Sequence, residues 1–134
     1  MATVNFHQVL TVAAQHNVSD IHFQVGLAPM LRHKGELVPV KHHPLTDEDV
    51  LHVCQHLAGI SDEDKLKKDV NDLDGTFTLP NVGRFRYNIF RQRGKFAAVL
   101  RVIPLEILGF EALGLPPTLE RISNLRRGLV LATG

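Results

Sequence analysis

The stretch RFRYNIFR (residues 84–91), continued by QRGK (92–95) and FAAVLRVI (96–103), decides the fold. Phe85, Tyr87 and Ile89 alternate against Arg84 and Arg86, the period of two that marks a strand with one buried face. Two such runs around a short loop containing Gly94 predict an antiparallel hairpin, Arg84–Arg91 against Phe96–Ile103. If Arg91 pairs with Phe96, Arg86 falls opposite Arg101 and both side chains leave the same face. Like charges so placed repel unless water screens them or an anion bridges them. Guanidinium groups hold phosphate through two parallel hydrogen bonds, so a nucleotide phosphate is one reason for such a pair. A wet sheet face, where repulsion costs only a few tenths of a kcal/mol, is the other. A slip of one residue would turn one arginine to the opposite face.

Working outward, Asn5 can cap a helix with Phe6, Val9, Leu10 and Ala13 on one side and Asn17 at its end. Asp20–Val25 alternates as a strand, with Ile21, Phe23 and Val25 inward. Met30–His33 and Glu36–Val40 flank a tight turn at Lys34-Gly35. Thr46 with Asp49 reads as a capping box opening a helix with Val50, Leu51, Cys54 and Leu57 inward, closed by Gly59. Ser61 starts a shorter helix, acidic at Asp62, Glu63 and Asp64 and basic at Lys65, Lys67 and Lys68, which suits the macrodipole. Leu73, Phe77 and Leu79 alternate up to a turn at 80–83. The clearest boundary is Leu113-Gly-Leu-Pro-Pro117, since two prolines continue neither element type. Beyond it a short helix capped by Thr118 should turn Leu119 and Ile122 inward. The run Leu129-Val-Leu-Ala-Thr133, apolar on both faces, reads as a central parallel strand.

Composition sets the frame. The chain has 134 residues, 44% apolar and 22% charged, which suits a soluble globular domain and excludes disordered and fibrous classes. No apolar run approaches the ~18 residues of a membrane span, and MATVNFHQVL lacks a secretory signal layout. The lone Cys54 suits a reducing cytoplasm. A net charge of +1 hides asymmetry: nine of 14 acids lie between Thr46 and Asp74, whereas 81–105 holds no acid beside Arg84, Arg86, Arg91, Arg93, Lys95 and Arg101. Such a segment is the footprint of an anionic ligand or a solvated basic face.

Several segments together resemble one family. Ser19-Asp-Ile-His22 with Gly26-Leu-Ala-Pro-Met-Leu-Arg32, Gly83-Arg-Phe-Arg-Tyr-Asn88, Ala98-Val-Leu-Arg-Val-Ile-Pro104, Leu113-Gly-Leu115, Arg121-Ile-Ser123 and Arg127-Gly-Leu-Val-Leu-Ala-Thr-Gly134 are similar, in order and spacing, to the N-terminal part of PilT/PilU-type pilus retraction ATPases. The resemblance implies an α+β fold, PAS-like, with a mostly antiparallel sheet and helices on one face. It implies an N-terminal domain over 1–112, a linker at 113–117, and over 118–134 the first helix and strand of a RecA-like domain. Gly134 would be the first glycine of G-x-x-x-x-G-K-[ST], whose lysine and hydroxyl hold phosphate and magnesium. Arginines matching Arg86 and Arg101, with Arg84 as a weaker third, would reach the ATP of the motor domain as arginine fingers do. Implied further are ATP and Mg2+ in the parent protein with none in this stretch alone, a homohexamer in which the domain contacts its own motor domain and neighbouring subunits, and a cytoplasmic position at the inner-membrane pilus machinery.

Other features take plainer readings. His52 and His56 stand at i, i+4, a spacing that can hold zinc, but no third ligand is visible and no metal is expected. His22, opposite Ile21 and Phe23, is expected to make a structural hydrogen bond. A nucleic-acid-binding module using the hairpin 84–101 with Phe90 and Phe96 is a rival, although most aromatics share the apolar face. A PAS-like small-molecule sensor is a second, although no cluster of polar residues lines its core.

Overall fold

The computed structural model describes residues 4–134. Helix α1 (Phe6–Gln15) begins at Asn5, whose side chain accepts a hydrogen bond from the Gln8 amide at 3.0 Å, and buries Phe6, Val9, Leu10 and Ala13. It leads through Asn17, in the left-handed region at φ 53°, to strand β1 (Asp20–Gln24). Strands β2 (Met30–His33) and β3 (Glu36–Pro39) form a hairpin whose turn residues Lys34 and Gly35 have φ 50° and 86°. Positive φ at both central positions matches the right-handed twist of the strands.

Helix α2 (Asp47–Ala58) carries the expected capping box: the Thr46 side chain accepts from the Asp49 amide, and Asp49 accepts from the Thr46 amide at 2.9 Å. Asp49 is itself buried, because it also accepts from the Val4 amide at 3.2 Å and so ties the start of α2 to the chain ahead of α1. Helix α3 (Glu63–Asp69) is capped by Asp62, one residue later than the sequence reading placed it, since the Asp62 carboxylate reaches the Lys65 amide at 3.0 Å. Strands β4 (Asp72–Leu79), β5 (Gly83–Gln92) and β6 (Lys95–Ile103) follow. The β5–β6 loop shrinks to Arg93-Gly94, again with both φ values positive, because Gln92 and Lys95 already pair.

The six strands form one sheet in the order β3-β2-β1-β6-β5-β4, each adjacent pair antiparallel. The fold is therefore α+β, with the helices on one face. Ile21, Phe23, Leu31, Phe85, Tyr87, Ile89, Phe96, Ala98 and Leu100 turn towards them and join Leu10, Val50, Val53, Cys54, Leu57 and Leu66 in one core. Phe6 packs against Phe23 and Phe77 with ring centroids 5.9 and 5.5 Å apart. Burial pushes the Cys54 thiol up to about 12, so it behaves as an apolar group.

Beyond β6 the sequence reading needs correction. The last helix, α4 (Pro117–Ser123), has Pro116 as its cap and Pro117 in its first turn; Thr118 lies inside it and caps nothing. A proline is tolerated there because its missing N–H is one that the first turn leaves unbonded anyway. Leu119 is exposed, not inward, and α4 buries no residue. Residues 129–133 form no strand. From Pro104 to Gly134 every residue but Ile122 is exposed. Among the described residues no helix is long and apolar enough to cross a membrane.

Candidate functional site

The sheet face away from the helices is uncovered and polar. Its central row is set by register: Arg32 of β2 stands beside Asp20 of β1, Asp20 beside Arg101 of β6, and Arg101 directly opposite Arg86 of β5. The pairing of Arg91 with Phe96 is the one that places those two arginines across from each other. The sequence reading foresaw that juxtaposition but not the carboxylate next to it.

Asp20 is only 9% exposed yet charged. Its Oδ1 accepts from Arg101 Nε at 3.2 Å, its Oδ2 accepts from Ser19 Oγ at 2.9 Å, and Arg32 Nε lies 3.6 Å from the same oxygen. Burial alone would raise its pKa; the Ser19 and Arg101 hydrogen bonds and the nearby Arg101 and His22 charges outweigh that and hold it below the ordinary carboxylate value. Arg32 is steadied by donating to the Gly35 carbonyl at 3.1 Å. Arg101 keeps a side chain 74% exposed, bound to the protein through Nε alone. Among the described residues Arg86 and Arg84 have no hydrogen-bond or ion-pair partner. A shallow concavity of about 180 Å³ opens there, lined by Asp20, Asp74, Arg86, Asn88, Val99 and Arg101. It brings two guanidinium groups and two carboxylates together at a solvent-facing surface.

The acid-free segment is not a single basic patch. Arg84, Arg86 and Arg101 share the uncovered face, but Arg91 points the other way. There it stacks 3.7 Å above the Phe96 ring and donates to the Lys67 carbonyl at 2.7 Å, which fastens α3 to the hairpin. Lys95 pairs with Asp47 at 2.7 Å across the hairpin end. Odd-even alternation along β5 carries the signal that separates Arg91 from Arg84 and Arg86, whereas the Lys95 pairing with Asp47 follows from the placement of α2.

His22 shares the uncovered face with Asp20, but its Nε2 is buried without a hydrogen-bond partner, so the expected bond at that atom is absent. Burial lowers its pKa, with Arg32 adding to the effect and Asp20 opposing it. His52 and His56 place their Nε2 atoms 3.1 Å apart, and His7 of α1 stands beside His56 with ring centroids at 5.9 Å. Among the described residues no group of three His, Cys, Asp or Glu side chains could hold a metal ion. Phe96, which a nucleic-acid platform would need exposed, is buried under Arg91, and Phe90 is half-buried.

No family model matches the chain. Curated proteins do. The type IV pilus retraction ATPase PilT of Pseudomonas aeruginosa is 35% identical over 130 residues, covering 95% of this chain and 37% of that protein. The type IV pilus ATPase PilU of the same organism is 28% identical over 133 residues, covering 98% of this chain and 34% of that protein. The chain thus spans about a third of the length of the curated relatives it matches. Among solved structures, the crystal structure of the pilus retraction motor PilT with bound ADP superposes with a TM-score of 0.70 at 33% identity, covering 89% of this chain and 34% of that one.

Proposed function

This chain corresponds to the N-terminal domain of the PilT-type pilus retraction ATPases, and from that premise we propose that it serves a motor protein by carrying arginines to an ATP phosphate. Arg101 and Arg86 are the phosphate-facing groups, with Arg84 at the margin. ATP with Mg2+ binds the motor domain of the parent protein, which works as a homohexamer at the cytoplasmic side of the inner-membrane pilus base. The domain, residues 1–112, rides on that motor domain through the linker 113–117 and shifts against it as nucleotide binds and leaves. Residues 118–134 begin the motor domain, with Gly134 the first glycine of its phosphate loop.

The observation that carries this proposal is the uncovered Arg101–Arg86 pair: two guanidinium groups on adjacent strands, one unpaired and the other held only through Nε. Phosphate charge developing in the transition state is met by such groups, and their loss lowers turnover more than binding. In the full-length protein, Arg86→Ala or Arg101→Ala should reduce ATP turnover at least about tenfold, and Arg84→Ala should do less. Steady-state phosphate release measures this. Equal rates in all three variants and the wild type would return the row to a solvated sheet face.

A further inference from the structure

Arg101 and Arg86 stand opposite each other on adjacent strands, yet only Arg101 has an internal counter-charge. The contact is made at Nε, the nitrogen nearest the backbone, so Asp20 grips the guanidinium from its inner edge. Among the described residues the two terminal nitrogens have no other partner, and the side chain is 74% exposed. A guanidinium offers five N–H donors in a rigid planar fork. Fixing its Nε edge therefore fixes the direction in which its terminal edge points.

The carboxylate doing this is itself fixed. Asp20 is 9% exposed, takes a hydrogen bond from Ser19 at 2.9 Å, and is flanked by Arg32 on the far side at 3.6 Å. Arg32, Arg101 and Arg86 share the row with this one anion, while Asp74 lines the same concavity, so Asp20 orders Arg101 rather than setting the charge of the site. The stability gained from the Arg101 contact is small, because an ion pair to a mostly exposed arginine adds little.

We infer that Asp20 is a positioning residue, which aims the terminal edge of Arg101 at the phosphate of a bound nucleoside triphosphate and keeps it from swinging away from Arg86. This rests on the proposal that Arg101 meets phosphate, and the two are separable by experiment. Asp20 touches no reacting atom; it acts through Arg101 alone.

A double-mutant cycle in the full-length protein tests it, with ATP turnover, KM for ATP and melting temperature read for every variant. Asp20→Asn should lower kcat about tenfold with little change in KM, and should add nothing in an Arg101→Ala background, because the residue it positions is already gone. An equal loss in both backgrounds, no loss in the wild-type background, or a rise in turnover would each overturn the inference; a rise would mean that the carboxylate competes with phosphate. If Arg101→Ala itself leaves turnover unchanged, the phosphate assignment fails first and takes this inference with it. Should Asp20→Asn not fold, Arg101→Lys tests the same link: lysine keeps the charge but lacks the rigid planar fork whose inner edge Asp20 holds, so turnover should fall nearly as far as in Arg101→Ala. Full activity of Arg101→Lys would overturn the inference.

Discussion

The two faces of strand β5 share a backbone and differ in everything else. Phe85, Tyr87 and Ile89 are buried against the helices, and Arg84 and Arg86, one residue out of phase, stand in water. The helix face is fully occupied, its side chains meeting α1 and α2 across a closed core. The uncovered face holds Asp20 and Asp74, the arginines Arg32, Arg84, Arg86 and Arg101, and a shallow concavity. Stability should therefore live on one face and function on the other, and substitutions can break that division or sharpen it.

The largest effect should come from the helix face. Phe85 is fully buried, so Phe85→Ala removes a ring from a closed core and should cost about 3–5 kcal/mol, read from urea unfolding of this chain. A loss below about 1 kcal/mol would mean that the core collapses around the gap, and the two faces would then differ less than their burial indicates.

Next comes acid. Asp20 on one face and Asp49 at the capping box both have folded-state pKa values held below the ordinary 3.8. For Asp49, burial works to raise it, but hydrogen bonds from the Thr46 backbone and side chain and from the Val4 backbone, with the His43 charge, prevail. A depressed carboxylate stabilises the fold fully above its unfolded pKa, and that contribution is lost as pH falls through the folded value. Stability should thus begin to decline as pH falls below about 6.5, where His22 and His56 take up protons more readily in the unfolded chain, and decline again below about pH 4. Asp49→Asn should be less stable at pH 7 and show a flatter decline in acid, as urea midpoints across the range would reveal.

Smaller still is the expected change for Arg86→Ala in this chain. With no partner among the described residues and a like charge opposite, Arg86 should shift stability by less than about 0.5 kcal/mol in either direction. A marked destabilisation would make the uncovered face structural after all.

The smallest effect should come from removing residues 114–134. That segment is exposed throughout apart from Ile122, and the buried core ends within β6. Melting temperature should not change, whereas the exposed Leu129, Val130 and Leu131 should make the longer chain associate as concentration rises in sedimentation. Unfolding on truncation would place α4 inside the first domain.

Much of this fold was legible because its rules are short-range. Asn5, Thr46 with Asp49, and Gly59 mark helix ends by bonds to amides within a few residues. The β5–β6 register follows from a turn of two residues, and it meets the condition, Arg91 against Phe96, under which the sequence sets Arg86 opposite Arg101. The same rules failed where partners were missing. The apolar run at 129–133 satisfies the pattern of a central strand, but pattern does not make a strand without neighbours to take its hydrogen bonds.

By itself, then, the sequence determined the alternation of strands, the caps at Asn5 and Thr46, and the core face of β5. Only the tertiary structure decided what stands beside them. Asp20 reaches Arg101 across 81 residues and Arg32 across 12, because β1 lies between β2 and β6 in the sheet. In the folded chain His22 Nε2 is buried without a hydrogen-bond partner, and Arg91 finds the Lys67 carbonyl of α3. Periodicity fixes which face a side chain takes; it carries no information about which distant strand will lie alongside, and that choice is made by burying the whole apolar surface at once.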